Sequence, residues 1–328
     1  MKKESVKSNA LGRFLDSKLS SLAIILVVLI VVMQLVLKLT LDRTMLSPGN
    51  ISTILSTIVL VSFMAIGSGV LLIFGYIDLS SGYIGSIASC IAAELILLGM
   101  PSYIAFLGAV VFGGLFGLLN ATIINVFNFQ PFIVTMATSG ILNGIGLLIS
   151  NGYTIKAKDP VVSWIGGYKF FKLVPFSVVI MLIFIVVYGL MLSRTKFGRS
   201  IYLCGGNRTA ARYSGINPTR ISYILFMNCG ALAGVSGFMY LARNGSGSYQ
   251  GINVYQFSGM TAAILGGISF GGGSGGMLGC FLGLCILNVF NNGMLLLNVN
   301  TYIKTVFSGL LLIVALCIDY ITIRRKRV

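Results

Sequence analysis

The 328-residue sequence predicts an all-α polytopic membrane protein of about ten transmembrane helices, with both termini on the cytoplasmic side. Three observations carry that expectation. Charged residues make up 9% of the chain and hydrophobic ones 56%, whereas soluble domains hold roughly 25% charged residues. With a mean hydropathy of +0.97, the chain has too little charge to cover a water-facing surface, so lipid is its main solvent. The apolar residues fall into stretches of about 20, the length a span requires. The cations gather in a few short segments between those stretches, as they do on the cytoplasmic side of membrane proteins.

The elements follow in order. Residues 1–19 form a cytoplasmic N-terminal segment carrying Lys2, Lys3, Lys7, Arg13 and Lys18. The apolar run after it looks like a signal peptide. No small-residue cleavage site follows, however, and the chain continues through Lys38 to Arg43, so 20–38 reads as an uncleaved first span. Further spans are expected at 51–74, 81–99, 103–126, 130–150 and 174–192. Between the last two, 151–173 is the longest external segment. Its Asp159-Pro160, Trp164 and Gly166-Gly167 predict a short helix or hairpin lying on the outer surface, with Trp164 as an interfacial anchor or docking residue. The polar loop 193–221 comes next, followed by spans at 222–242, 257–271, 275–297 and 302–322 and a basic tail at 323–328. The eighth span is short and glycine-interrupted. No linker divides the chain, so 1–328 is one transmembrane domain. An even count of spans puts both termini on one side. Fifteen cations then lie in the N-terminal segment, the 193–221 loop and the tail, against eight elsewhere.

Gly267, Gly271, Gly275, Gly279 and Gly283 recur at every fourth position. On a helix they would make one smooth face for close approach of a neighbour. Yet Gly271-Gly272-Gly273-Ser274-Gly275-Gly276 is too glycine-rich to stay helical. A broken helix is therefore expected near 270–276, with helical packing after it; such breaks occur where backbone lines a cavity or packs inside protein. The same stretch matches GxGxxG and GxSxG, but no strand precedes it and no acid lies about 20 residues on. The chain also has no histidine to complete a hydrolytic triad. A phosphate-binding GxxxxGK[ST] is absent as well.

Chemistry of other kinds is equally poorly supplied. The six cysteines are scattered without a CxxC pair and read as small apolar filler. With no histidine, neither a metal site nor an enzyme active site is expected, and no cofactor is expected in this chain. The net charge of +16 follows the topology and suits anionic lipid, not a nucleic-acid groove. Charges inside spans are costly and mark function by default. Asp78, at the junction of the second and third spans, suits either a substrate contact or a helix N-cap. Glu94 falls late in the third span and Asp319 near the inner end of the last. Among the uncharged polar residues, Gln130, Thr135, Asn143 and Asn292, with Phe132 beside Gln130-Pro131, suit a polar path for hydroxyl-bearing solutes. Bonding between neighbouring helices is the competing role for each of them.

The loop 193–221 is the most informative segment. Arg194, Lys196, Arg199, Arg208, Arg212 and Arg220 stand there without an acid. Arg208 to Tyr213 is expected to form a short surface helix, with Gly205-Gly206 before it and Gly215 after it as breakers. A surface helix between two spans suits docking of a soluble partner; an ordinary positive-inside loop has the same composition.

Four segments, in this order, resemble the permease subunits of ribose-type ABC sugar importers. Gly75-Tyr76-Ile77-Asp78-Leu79-Ser80 is similar to that family's GGIDLS, with Tyr76 in place of the second glycine. Gln130-Pro131-Phe132-Ile133-Val134-Thr135 is similar to PPFIVTL. Phe197-Gly198-Arg199 through Gly205-Gly206-Asn207 to Gly215-Ile216 resembles FGR…GGN..AAR.SGI, and Leu265-Gly266-Gly267 through Asn291-Asn292-Gly293 resembles LGG…NNG. The resemblance covers nearly the whole chain. It implies a ten-span, multi-pass permease of a prokaryotic plasma or inner membrane, moving a ribose-type sugar inward and pairing with a second permease copy or paralogue. It also implies partner ATP-binding subunits inside and a sugar-binding protein outside. The same resemblance makes Gly205, Gly206, Asn207, Arg208, Ala211, Arg212 and Gly215 the ATPase-coupling segment. An ion-coupled secondary transporter of a small polar solute is the alternative, with Asp78 and Glu94 as its only candidate ionisable groups inside the bundle.

Overall fold

A computed structural model describes residues 18–327. Its helices are α1 (Lys18–Leu41), α2 (Pro48–Ile73), α3 (Ser81–Leu97), α4 (Ser102–Phe127), α5 (Pro131–Ser150), α6 (Pro160–Gly167), α7 (Phe176–Arg194), α8 (Lys196–Gly206), α9 (Arg208–Tyr213), α10 (Pro218–Asn244), α11 (Gln256–Leu265), α12 (Met277–Leu296) and α13 (Thr301–Arg327). Every segment expected to span the membrane contains a helix. Seven of these helices (α1, α2, α4, α5, α7, α10 and α12) are long and apolar enough to cross a bilayer. Helix α3 has 17 residues and α13 is apolar over 302–317. The expected span at 257–271 shortens to the ten residues of α11. Ten residues rise about 15 Å, half the hydrocarbon thickness. The cationic residues 1–17 lie outside the described residues.

Local chemistry sets the helix ends. Ser47 caps α2 by accepting from the Asn50 amide, with Pro48 in the first turn. Asn217 caps α10 in the same way from Arg220, ahead of Pro218. Prolines in the first turn lose no helical hydrogen bond, which is why three of the longest helices start at one. Helices α4, α5 and α10 end on left-handed Asn128, Asn151 and Gly245. The segment 151–175 holds both structures that its sequence suggested. Asp159 caps α6 by accepting from Val161 and Val162, and Lys169–Phe170 pairs with Val174–Pro175 as a hairpin. A second ribbon, Ile155–Lys156 against Ser246–Gly247, ties this segment to the end of α10.

Helices α2 and α10 form the centre: 78% and 72% of their spanning windows are buried, against 11% for α1. Helix α1 packs at the periphery on α12, where Met33 lies over Gly293. The tightest crossing joins α4 to α10. A Cβ added at Gly113 would overlap the carbonyl oxygen of Gly230, one at Gly230 would overlap that of Gly113, and Gly117 meets the Phe226 carbonyl in the same way. Lipid tails are as apolar as leucine, so helices gain little by hiding apolar faces from them; close backbone approach at small residues supplies the van der Waals contact instead.

Helices α11 and α12 form an antiparallel hairpin. Gly279 packs against the Gly266 carbonyl and Gly283 against the Ala262 carbonyl. The backbone between them, 266–276, is non-helical, and Gly267, Gly272, Gly273 and Gly275 adopt positive φ. The four-residue glycine period is thus not a single helical face: Gly267, Gly271 and Gly275 build the turn, while Gly279 and Gly283 build the seam beneath it.

Gly113→Ala is expected to lower stability by about 1–3 kcal/mol, because even a methyl group there must push α10 away. Gly140→Ala, in open space on α5, should leave stability unchanged or raise it slightly. Thermal unfolding of the purified variants, followed by size-exclusion, checks both; equal behaviour of the two would remove the crossing as the determinant.

Candidate functional site

The elbow between α8 and α9 is built by its own side chains. Thr195 accepts from the Gly198 amide at 2.9 Å and Asn207 from the Ala210 amide at 3.0 Å, each capping one helix. The expected breakers Gly205 and Gly206 are the last residues of α8, and the break falls on Asn207, whose extended backbone starts α9. Gly205 is needed there for a different reason. Its backbone lies against the Ile73 carbonyl at the end of α2 and against Gly273 in the α11–α12 turn. Gly273 donates to that same carbonyl at 2.8 Å, and Tyr202 of α8 donates its hydroxyl to the Gly275 carbonyl at 2.8 Å. A Cβ at Gly272 would lie 2.8 Å from the Gly205 oxygen and 3.1 Å from Gly75 Cα. Three chain turns thus meet backbone to backbone.

Arg208 fastens the same junction. Its guanidinium stacks 3.9 Å from the Tyr76 ring centroid and 5.0 Å from that of Phe74, and it donates to the Tyr76 hydroxyl. Ala211 is buried, and the Ile216 amide closes the end of α9 onto its carbonyl after Gly215 at φ 77°. The residues singled out for docking therefore divide. Gly205, Arg208 and Ala211 face the bundle, whereas Gly206, Asn207, Arg212 and Gly215 are exposed, together with Tyr213 at 89%. Beside them a groove of about 230 Å³ runs between α9 and the α4–α5 turn, lined by Asn125, Asn128, Phe129 and Arg212. Tyr76, the departure from the family motif, was not singled out as Arg208's partner, and only an aromatic two residues before Asp78 hinted at it. Asp319, near the end of α13, accepts from the Phe270 amide at 3.0 Å and from the Ser269 hydroxyl at 3.3 Å, joining α13 to the glycine turn.

Asp78 lies at the other end of the α2–α3 connection and is fully enclosed. One carboxylate oxygen accepts from the Ser80 amide at 2.7 Å and the Ser80 hydroxyl at 2.6 Å; the other has no hydrogen-bond partner among the described residues. Around it runs a buried chain of polar groups. Asn120 donates to Ser80 at 2.8 Å, Thr138 to Asn120 at 2.7 Å, and the Leu79 amide to Thr135 at 3.1 Å. On the far side Gln256, at the start of α11, donates to the Asp78 carbonyl at 2.8 Å and accepts from Ser81 and Gly82. Five elements are joined by one network, in which the groups other than that second Asp78 oxygen satisfy one another.

A cavity of about 750 Å³ opens between α2, the end of α10, α11, α12 and α13. Asn292 is on its wall, but its amide is committed to a reciprocal pair with Asn50, 2.9 Å in both directions. The other residues expected on a path do not gather with it. Thr135 belongs to the Asp78 network, Gln130 and Phe132 are exposed at the start of α5, and Asn143 is half-buried further along the same helix. The six expected path residues therefore occupy four places, because α5 turns its Gln130-Phe132 end outward while α12 turns Asn292 toward α2. Asn50→Ala is expected to cost about 1–3 kcal/mol, since it leaves the buried Asn292 amide unpaired; Asn292→Ala should cost less, because the half-buried Asn50 keeps its bond to the Met45 carbonyl, and the double variant should cost less than their sum. Thermal unfolding of the three variants measures that coupling; strict additivity would mean the pair is not formed.

The profile of a family described as branched-chain amino acid transport system / permease component matches residues 50–316. The chain is 30% identical to the ribose import permease protein RbsC of Escherichia coli (strain K12) over 274 residues, 82% of this chain and 85% of that protein. It is 32% identical to the D-allose transport system permease protein AlsC of the same strain, over 74% of each chain. In three dimensions it is similar, with a TM-score of 0.50 and 17% identity over 84% of this chain and 89% of the other, to an inward-facing transporter described as metal-chelate type. That likeness concerns the fold. The extent of the sequence match, with several helices able to cross a bilayer, places the chain in the plasma membrane as a multi-pass transport subunit: it belongs to the family of ABC-transporter permease components.

Proposed function

We propose that the chain is the permease subunit of an importer that carries a small sugar, of the ribose type, into the cell on ATP hydrolysed by a separate subunit. The observation that carries this reading is the three-way backbone junction at Gly205, Ile73 and Gly273. It fastens an exposed surface helix to both connections that border the buried polar network and the cavity. In this reading the chain crosses the membrane ten times with both termini and the elbow in the cytoplasm. An ATP-binding subunit grips Arg212 and Tyr213 beside the groove. Arg208, stacked on Tyr76, passes the movement to the Asp78 connection, and the glycine turn passes it to the α11–α12 hairpin. Gln256 links the two, being bonded to the Asp78 carbonyl in the first turn of the helix that walls the cavity. The solute arrives from an extracytoplasmic sugar-binding protein, and a second permease copy or paralogue completes the pathway. No cofactor belongs to this chain, and nucleic acid has no part.

The solitary buried Asp78, with one carboxylate oxygen unpaired, supports a second reading, uptake coupled to an ion gradient. Energy source separates the two. In proteoliposomes holding the permease with its ATPase and binding protein, D-ribose uptake should require internal ATP and survive collapse of the proton and sodium gradients; gradient-driven uptake without ATP would overturn the importer reading. Arg212→Glu should weaken ATPase capture about tenfold. Arg208→Gln should instead leave capture near normal while ATP is hydrolysed without matching uptake. If both substitutions act on capture alone, Arg208 is a docking residue and not a link.

A further inference from the structure

We propose that the cavity between α2, α11, α12 and α13 receives an anionic ligand, a sugar acid or other small polyol bearing a carboxylate or phosphate; this rests on the sugar-importer reading above and narrows its substrate. The volume, about 750 Å³, lies within the ~300–1,000 Å³ of small-molecule sites. Two cations stand on its wall, Arg243 and Lys304. Arg243 is half-buried and donates to the Thr57 hydroxyl at 3.0 Å, a neutral partner that leaves its charge uncompensated. No acid lines the cavity. The five acids among the described residues are all placed elsewhere: Asp42 pairs with Lys38, Asp78 holds Ser80, Asp159 caps α6, Asp319 holds the Phe270 amide, and Glu94 lies on α3. Lys38–Asp42 is the only ion pair among the described residues.

The start of α11 brings Tyr255, Phe257 and Ser258 to the same wall. Two cations on one cavity wall without an acid are costly unless the ligand supplies the counter-charge. A neutral sugar would be served by Asn288, Asn291 and the threonines alone, with the Phe257 ring against its carbon face. A carboxylate or phosphate uses the cations, and the hydroxyls use the asparagines.

The experiment places one thiol in the cavity, Ser258→Cys, in a chain whose half-buried Cys285 and exposed Cys317 are changed to alanine. In phosphatidylcholine nanodiscs, an anionic sulfonatoethyl thiosulfonate should label it faster than the cationic trimethylammonium analogue by about tenfold or more. That preference should fall towards unity in Arg243→Gln and Lys304→Gln. Arg243→Lys should keep it, which separates loss of charge from loss of fold. D-Ribonate should slow labelling while D-ribose does not. Equal slowing by D-ribose, or slowing by neither, overturns the proposal. ATP-driven D-ribose uptake by the assembled transporter in that case leaves the importer reading standing, whereas absence of any sugar uptake removes that reading itself. Slower labelling in phosphatidylglycerol nanodiscs, with no effect of D-ribonate, would assign the cations to a lipid headgroup and likewise overturn it.

Discussion

Close backbone approach at glycine is the interaction on which the rest of this structure depends. In water a helix bundle is held by the burial of apolar faces, but lipid removes that driving force. What remains is dispersion, which falls off within an ångström of lost contact. The paired Gly113 and Gly230, and the Gly266–Gly279 and Ala262–Gly283 contacts of the α11–α12 hairpin, remove the side chain where contact is closest. The cost is conformational, since glycine weakens a helix by about 1 kcal/mol. In the α11–α12 turn that weakness becomes useful, because the chain reverses through four positive-φ glycines.

The same device closes the junction beneath a surface loop. A side chain at Gly205 or Gly272 would hold α8 away from the end of α2 and from the glycine turn. With hydrogen there, the Ile73 carbonyl accepts from Gly273, and movement of α8 cannot leave either neighbour behind. Arg208 adds a polar link with a flat stacking surface, a geometry that arginine meets and lysine does not. The Asp78 network has the same rigid character: every step from Thr138 through Asn120 and Ser80 to Asp78 is a direct hydrogen bond between buried groups. Two stiff assemblies joined by the short segment 76–78 will shift as units rather than deform.

How much of this was legible in the sequence depended on range. Apolar length located the long helices, and Arg208 to Tyr213 was recognisable as a short helix between Gly205-Gly206 and Gly215, although the break itself falls on Asn207. The start of α11 at Gln256 lies one residue from the expected 257, and its shortening was foreshadowed by the glycines; the 3-10 turn before it has no local signal. Roles set by distant partners were not legible. Arg208 reads as a docking cation until Tyr76, 132 positions away, is found beneath it. Asn292 reads as a path residue until Asn50, 242 positions away, takes both ends of its amide. Loop composition reports that a cation is present, and only tertiary contact reports whether it is still free.

That distinction also locates function inside the bundle. A polar side chain within a membrane protein is structural when another protein group answers it, as Asn50 answers Asn292 and Gln256 answers the Asp78 carbonyl. It is a binding group when the answer is left to a visitor. Arg243 stands between the two: Thr57 answers one of its donors, but with a neutral hydroxyl. No acid lines the wall around it and Lys304, which otherwise offers amides, hydroxyls and apolar carbon. On the proposal above, the charge of these two cations selects the sign of what the cavity admits; ribose and D-allose are what the names of two relatives record of those proteins.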